Sequence, residues 1–141
     1  MTNINWMTVV SNRNIARDVY EMKVTGKGAS LITAPGQFVN IKVSTLESQP
    51  YLRRPMSVCD YDSENLTMIY KVVGKGTKIL RDKKPGDKLD MLLGLGNGFP
   101  LPDIKKAVLI GGGVGVPPMY NLAKQLQAKG VEITTILGFN S

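Results

Sequence analysis

Through the first hundred residues, apolar and polar positions alternate in short runs. Tyr20, Met22 and Val24 are separated by Glu21 and Lys23, and Val39, Ile41 and Val43 by Asn40 and Lys42. A period of two is what a strand with one buried face requires. Met7–Val10 is a shorter apolar segment. Pro55–Tyr61 and Leu66–Val73 predict a hairpin joined through Asp62-Ser63-Glu64-Asn65, and Lys88–Leu93 predicts one more strand. Gly26-Lys27-Gly28, Ala34-Pro35-Gly36 and Lys84-Pro85-Gly86-Asp87 punctuate these runs, and Ser44–Pro50 reads as a loop. Gly74-Lys75-Gly76-Thr77 ends a strand, with Lys78–Arg81 as a single helical turn. About six strands with turns at this spacing predict a small antiparallel barrel.

The pattern changes after Gly94-Leu95-Gly96-Asn97-Gly98-Phe99-Pro100, which places a domain boundary between residues 1–98 and 99–141. A strand over 107–111 follows. Met119, Leu122, Ala123 and Leu126 then recur at helical spacing, with Lys124, Gln125 and Lys129 facing outward. Gly130 is a natural helix stop, and Val131–Leu137 supplies the next strand. The fold class is therefore a β barrel plus α/β, the second part being one βαβ unit. A doubly wound nucleotide domain needs more strands than this and helices on both faces. The chain is accordingly expected to be truncated at its C-terminus, or completed by another chain.

Composition narrows the chemistry. The 141 residues contain no histidine and one cysteine, Cys59, which reads as a packing residue. Histidine triads, His metal sites, internal disulfides and all-cysteine clusters made by this chain alone are excluded, and no metal site is expected. Eighteen basic against eleven acidic residues give a net charge of +7. The basic residues are dispersed and aromatics are 6%, so the charge points to phosphorylated cofactors or an acidic partner rather than nucleic acid. No apolar run approaches the ~20 residues of a membrane span, and no signal peptide pattern opens the chain, so a cytoplasmic protein is expected.

Three segments carry candidate chemistry. In Lys106-Ala107-Val108-Leu109-Ile110-Gly111-Gly112-Gly113-Val114-Gly115-Val116-Pro117-Pro118, an apolar strand meets glycines and a helix beginning with proline. Free amides there favour an anion, a nucleotide phosphate first; tight strand–helix packing is the alternative. In Leu52-Arg53-Arg54-Pro55-Met56-Ser57, a guanidinium can grip a diphosphate and the serine hydroxyl can reach a ring oxygen; a surface arginine pair is the alternative. In Gly74-Lys75-Gly76-Thr77, free amides and the Thr77 hydroxyl suit a phosphate.

The order of these motifs, with Ile69-Tyr70-Lys71 and Leu95-Gly96-Asn97-Gly98-Phe99 between them, resembles the ferredoxin–NADP reductase superfamily. Within it the chain is most similar to the electron-transfer subunits of class-B dihydroorotate dehydrogenase. The resemblance implies a flavin-binding barrel followed by a nicotinamide-nucleotide domain. It implies that Arg54, Pro55, Met56 and Ser57 hold FAD, with Arg54 on the diphosphate and Ser57 near the flavin ring. Many superfamily members carry tyrosine where Met56 stands. Ile69, Tyr70 and Lys71 match a second flavin-contacting segment, with Gly76 and Thr77 at the phosphates; Ile69 and Tyr70 read equally as ordinary strand residues. Gly111, Gly112, Gly113, Gly115 and Pro117 would face NAD(H). The resemblance also implies a catalytic dihydroorotate dehydrogenase subunit as partner, electrons passing from dihydroorotate through FAD to NAD+ in pyrimidine biosynthesis. No side chain of this chain is required as a catalytic acid or base. A [2Fe-2S] centre is expected in the family, but its cysteine ligands are absent from this chain. Two other readings stay open: a superfamily reductase serving a different partner, and a non-enzymatic barrel that binds nucleic acid or docks on an acidic protein.

Overall fold

The structure is a computed structural model describing residues 4–44 and 52–140, so the expected loop from residue 45 onward lies outside the described residues. The described residues form nine strands: β1 (Ile4–Ala16), β2 (Val19–Thr25), β3 (Phe38–Lys42), β4 (Arg54–Ser57), β5 (Asp60–Tyr61), β6 (Asn65–Lys71), β7 (Lys88–Leu95), β8 (Lys106–Gly112) and β9 (Glu132–Gly138). Two α-helices, α1 (Lys75–Arg81) and α2 (Pro117–Ala128), and 3-10 turns at Lys27–Leu31 and Gly113–Gly115 complete the described elements.

The first seven strands form one antiparallel sheet in the order β4-β3-β7-β1-β2-β6-β5. It is barrel-like but not closed, since β4 and β5 are its two edges. The chain itself ties these edges together, because only Val58 and Cys59 separate them. The Val58 N–H donates to the Gln37 carbonyl at 3.3 Å, and the Cys59 N–H donates to Thr67 on β6 at 2.9 Å. Curling of the sheet brings the alternating apolar residues into one interior. Met7, Met22, Met68 and Met91 are fully buried there beside Val24, Val39, Ile41, Leu66 and Leu93. Unbranched methionines fill the irregular space inside a strongly curved sheet.

The structure departs from the sequence reading in two elements. Strand β1 runs far past Val10, because Ser11–Ala16 pair with β2 as an arm turned at Arg17-Asp18, where Asp18 has φ 58°. Ser11–Asn14 are polar and Ile15 is exposed because the arm projects from the core, so no apolar alternation marks them. The segment Pro55–Tyr61 does not form one hairpin strand. Its first half, β4, pairs with β3, and only Asp60–Tyr61 pairs with β6. Period-two patterning marks a strand without naming its neighbour. The turn at residues 62–65 is as expected: the Asp62 carboxylate accepts the Glu64 and Asn65 N–H groups, both at 2.8 Å.

Asn12 clamps the barrel to α1. Its Nδ2 lies within 3.0 Å of the carbonyl oxygens of Leu80, Arg81 and Lys83, and its Oδ1 accepts the Tyr70 hydroxyl at 2.8 Å. The helix end thus gains donors it would otherwise lack. Burial raises the Tyr70 phenol from 10.0 to about 12, and it raises the Cys59 thiol from 9.0 to about 11, with Asp60 adding to the latter. Both groups ionise earlier in the unfolded chain than in the folded one, so the stability they contribute is present below about pH 9 and lost as pH rises toward 12. Denaturant midpoints measured from pH 8 to pH 11 are expected to fall, and the Tyr70→Phe, Cys59→Ala variant to lose most of that slope.

Strands β8 and β9 pair in parallel, and α2 packs on one of their faces through a second core of Leu109, Leu122, Leu126 and Val131. Gly130 (φ 80°) ends α2 by donating to Gln127 at 3.0 Å, while Val131 donates to Leu126 at 3.1 Å. This is the paired-bond arrangement that stops a helix at a left-handed glycine. The βαβ unit is therefore as expected. Val108, Ile110 and Ile136 are exposed on the sheet. Among the described residues, no helix is long and apolar enough to cross a membrane.

Candidate cofactor-binding site

The curled sheet leaves an open cleft of about 360 Å³ between β4, β6, the start of α1 and the glycine turn before α2. Arg54, Pro55, Met56, Ser57, Ile69, Tyr70, Lys71 and Thr77 all line it, although they come from three separate segments. Val73 and Val114 line it too. Neither stood out in the sequence, where Val73 closes a Val72-Val73 pair before Gly74 and Val114 sits between two glycines, and both are largely exposed. An exposed apolar residue at a cleft mouth is a signal only the surface provides.

The two adjacent arginines have different employment. Arg53 is partly buried and bonded to Asp90 twice, through Nη2 to the carboxylate at 2.9 Å and through Nη1 to the carbonyl at 3.0 Å. Arg54 makes no ion pair among the described residues; its Nη1 donates only to the Leu52 carbonyl at 2.7 Å. Its side chain crosses Gly76, where an added Cβ would stand 2.5 Å from Nε and 3.0 Å from Cζ. Glycine at 76 lets the guanidinium lie against the first turn of α1. An uncommitted positive charge and a helix N-terminus then face the same space, and both favour an anion.

Thr77 corrects the sequence reading. Its hydroxyl accepts the Val73 and Gly74 N–H groups at 2.9 and 3.0 Å and donates to the Gly74 carbonyl at 3.1 Å. One donor and two acceptors exhaust a hydroxyl. Thr77 shapes the turn and does not offer its hydroxyl to a phosphate. Thr77→Val is expected to lower stability by about 1–2 kcal/mol through the orphaned amides, while Thr77→Ser stays near wild type, as read by urea denaturation.

Tyr70 points into the core with Leu66 and Met68, stacked on Tyr20 at 6.0 Å, with its hydroxyl on Asn12. Ile69 and Lys71 take the opposite face of β6. Met56 leans partly on the barrel core, on the same face of β4 as Arg54. Ser57 is exposed on the other face.

At the glycine turn, Pro117 and Pro118 have no N–H, and the Met119 and Val116 amides bond back to Val116 and Gly113 at 3.0 and 3.2 Å. The first amides of α2 are thus not free for an anion, contrary to the sequence expectation; remaining donors belong to the glycine run itself. The four glycines also differ. Gly111 is closely packed, since a Cβ would sit 3.1 Å from Val116 Cα and 3.2 Å from Met119 Cγ. Gly112, Gly113 and Gly115 face open space, and only Gly113 (φ 54°) has a backbone reason to be glycine. The chain makes no steric demand at the other two. Pro117 is buried at the start of α2.

A seven-stranded antiparallel sheet curled into a barrel-like body, with a cleft on its edge and a βαβ unit after it, is the architecture of ferredoxin–NADP reductase-like flavoprotein reductases. The chain superposes on an NADH-dependent reduced ferredoxin–NADP oxidoreductase with a TM-score of 0.85 at 35% identity, over 96% of this chain and 49% of that one. Phthalate dioxygenase reductase shares the fold, with a TM-score of 0.71 at 23% identity over 99% of this chain and 45% of that one. No family profile matches the chain. It is 48% identical over 140 residues to the dihydroorotate dehydrogenase B (NAD(+)) electron transfer subunit of Geobacillus sp. (strain WCH70), and 45% identical to that of Bacillus cereus (strain B4264). Both alignments take in 96% of this chain and 54% of the relative. The chain belongs to the family of dihydroorotate dehydrogenase B electron transfer subunits, and it spans about half the length of the curated relatives it matches.

Proposed function

We propose that this chain holds FAD in the cleft between β4, β6 and α1, and serves as the flavin-bearing part of an electron transfer subunit. In that role it would pass electrons from dihydroorotate, oxidised in a partner catalytic subunit, to NAD+. The observation that carries the reading is Arg54: a guanidinium with no carboxylate partner among the described residues, held over Gly76 at a helix start, in a cleft of ligand size. Residues 1–98 are the flavin domain, and 99–141 begin the nicotinamide-nucleotide domain. FAD supplies the redox chemistry when bound. The protein's part is to bind, orient and shield.

Arg54 would neutralise the diphosphate with the α1 amides beside it. Met56 and Ser57 would flank the flavin ring, with the β6 main chain at Ile69–Lys71 along its edge. Gly112, Gly113 and Gly115, free of steric duty toward the chain, would let the nucleotide approach the backbone closely. With one cysteine, these 141 residues do not supply the ligand set of a [2Fe-2S] centre. A cytoplasmic location belongs to the same reading.

The test is the visible spectrum of the purified protein before and after adding FAD and desalting. Flavin absorbance retained at one equivalent per chain is the expected result. A colourless protein that never retains added FAD, while circular dichroism shows it folded, would sink the assignment.

A further inference from the structure

The barrel core and the βαβ core are separate clusters, and a polar seam joins them. The Asp60 carboxylate on β5 accepts Asn121 Nδ2 at 2.8 Å and Lys124 Nζ at 2.9 and 3.0 Å. Gln125 Nε2 lies 2.9 Å from the Tyr61 hydroxyl and 2.7 Å from Asn121 Oδ1. Asn121 is buried, so its amide depends on these partners. Lys124 and Gln125 were expected to face solvent outward on α2; instead they reach back to the barrel. The pairs that cross from β5 to α2 lie 61 to 64 residues apart in sequence, so nothing local enforces them.

Both sides of the seam are joined to cleft residues by short stretches of chain. Asp60 follows the cleft residue Ser57 by three positions, and Asn121 follows the cleft residue Val114 by seven, across a rigid proline-started helix turn. We propose that the Asp60–Asn121–Lys124 seam is a positioning device that holds Val114 and the glycine turn against the cleft, so that cofactor binding and docking of the βαβ unit are coupled. The inference rests on the reading that the cleft takes FAD. FAD binds best when both walls are in place, so apparent affinity is scaled by the docked fraction. Coupling is reciprocal: bound FAD must tighten the seam as much as the seam tightens FAD.

Lys124 is half exposed, so its ion pair contributes modestly. Asp60 supports the buried amide as well and matters more. Asp60→Ala is expected to weaken FAD binding about five- to tenfold and Lys124→Met about twofold, although neither residue lines the cleft. The swap Asp60→Lys with Lys124→Asp is expected to recover part of the affinity. Amide hydrogen exchange supplies the second readout. In the cofactor-free chain, Asp60→Ala is expected to speed exchange at residues 59–62 and 114–121, and FAD to slow it there in wild type. Unchanged FAD affinity and unchanged exchange in both single variants overturn the proposal. Faster exchange with unchanged affinity also overturns it, leaving the seam as ordinary docking. If wild type binds no FAD, the cleft assignment fails instead; Asp60→Ala exchanging at the wild-type rate then rejects the seam by itself.

Discussion

Arg54→Glu is expected to yield folded protein that no longer retains FAD. The Arg54 side chain makes only one hydrogen bond among the described residues, to the Leu52 carbonyl, so the fold loses little without it. The site loses a charge-assisted pair of about 1.5–3 kcal/mol and acquires a carboxylate facing a diphosphate. At about 1.4 kcal/mol per factor of ten, FAD should bind at least a hundredfold more weakly. Arg53→Leu is the internal control. It removes the partly buried ion pair with Asp90, so it should lower stability while leaving FAD affinity within a few-fold. Fluorescence titration with FAD and urea denaturation on both variants separate the two arginines. Wild-type FAD affinity in Arg54→Glu would reject the cleft assignment.

Gly94→Val is expected to abolish folding at ordinary temperature. Gly94 lies within β7 with φ 68°, and a Cβ built there would overlap the carbonyl oxygen of Leu31. The left-handed backbone costs a β-branched residue about 1–2 kcal/mol, and the overlap is with main chain, which cannot rotate away. Together these exceed about 4 kcal/mol, a large part of the stability of a domain this size. Loss of soluble expression or of a cooperative thermal transition is the expected readout. A variant melting within a few degrees of wild type would mean that this strand is placed wrongly.

Cofactor loading bears on the same balance. A ligand that binds only the folded state stabilises it in proportion to the logarithm of its concentration over Kd. Excess FAD should therefore raise the melting temperature of the wild type and leave that of Arg54→Glu unmoved.

The division between what sequence and structure decide falls along the range of the interactions. Strands β2, β3 and β6 and helix α2 are legible because one apolar face recurs at a fixed local period, and Gly130 marks its helix end by backbone conformation alone. The cleft residues could be named because the arginine, the glycines and the proline-started helix each carry a local chemical reason, and because their order resembles a family. Local pattern says nothing about which strand pairs with which, and so the split of Pro55–Tyr61 between two neighbours was hidden. It says nothing about which polar group is already satisfied. Arg53 and Arg54 are the same residue type side by side, yet Asp90, 37 positions on, employs the first, while the second makes no ion pair among the described residues. The Thr77 hydroxyl and the first amides of α2 look free in the sequence and are consumed by their own turns. Val73 and Val114 become a cleft mouth, and Asp60 meets Asn121, only when the sheet has curled and α2 has docked. The sequence by itself determined the apolar-patterned elements and the chemistry on offer, since both depend on near neighbours. The tertiary structure decided which of those groups remain available, because hydrogen-bond and charge satisfaction are settled by residues far away along the chain.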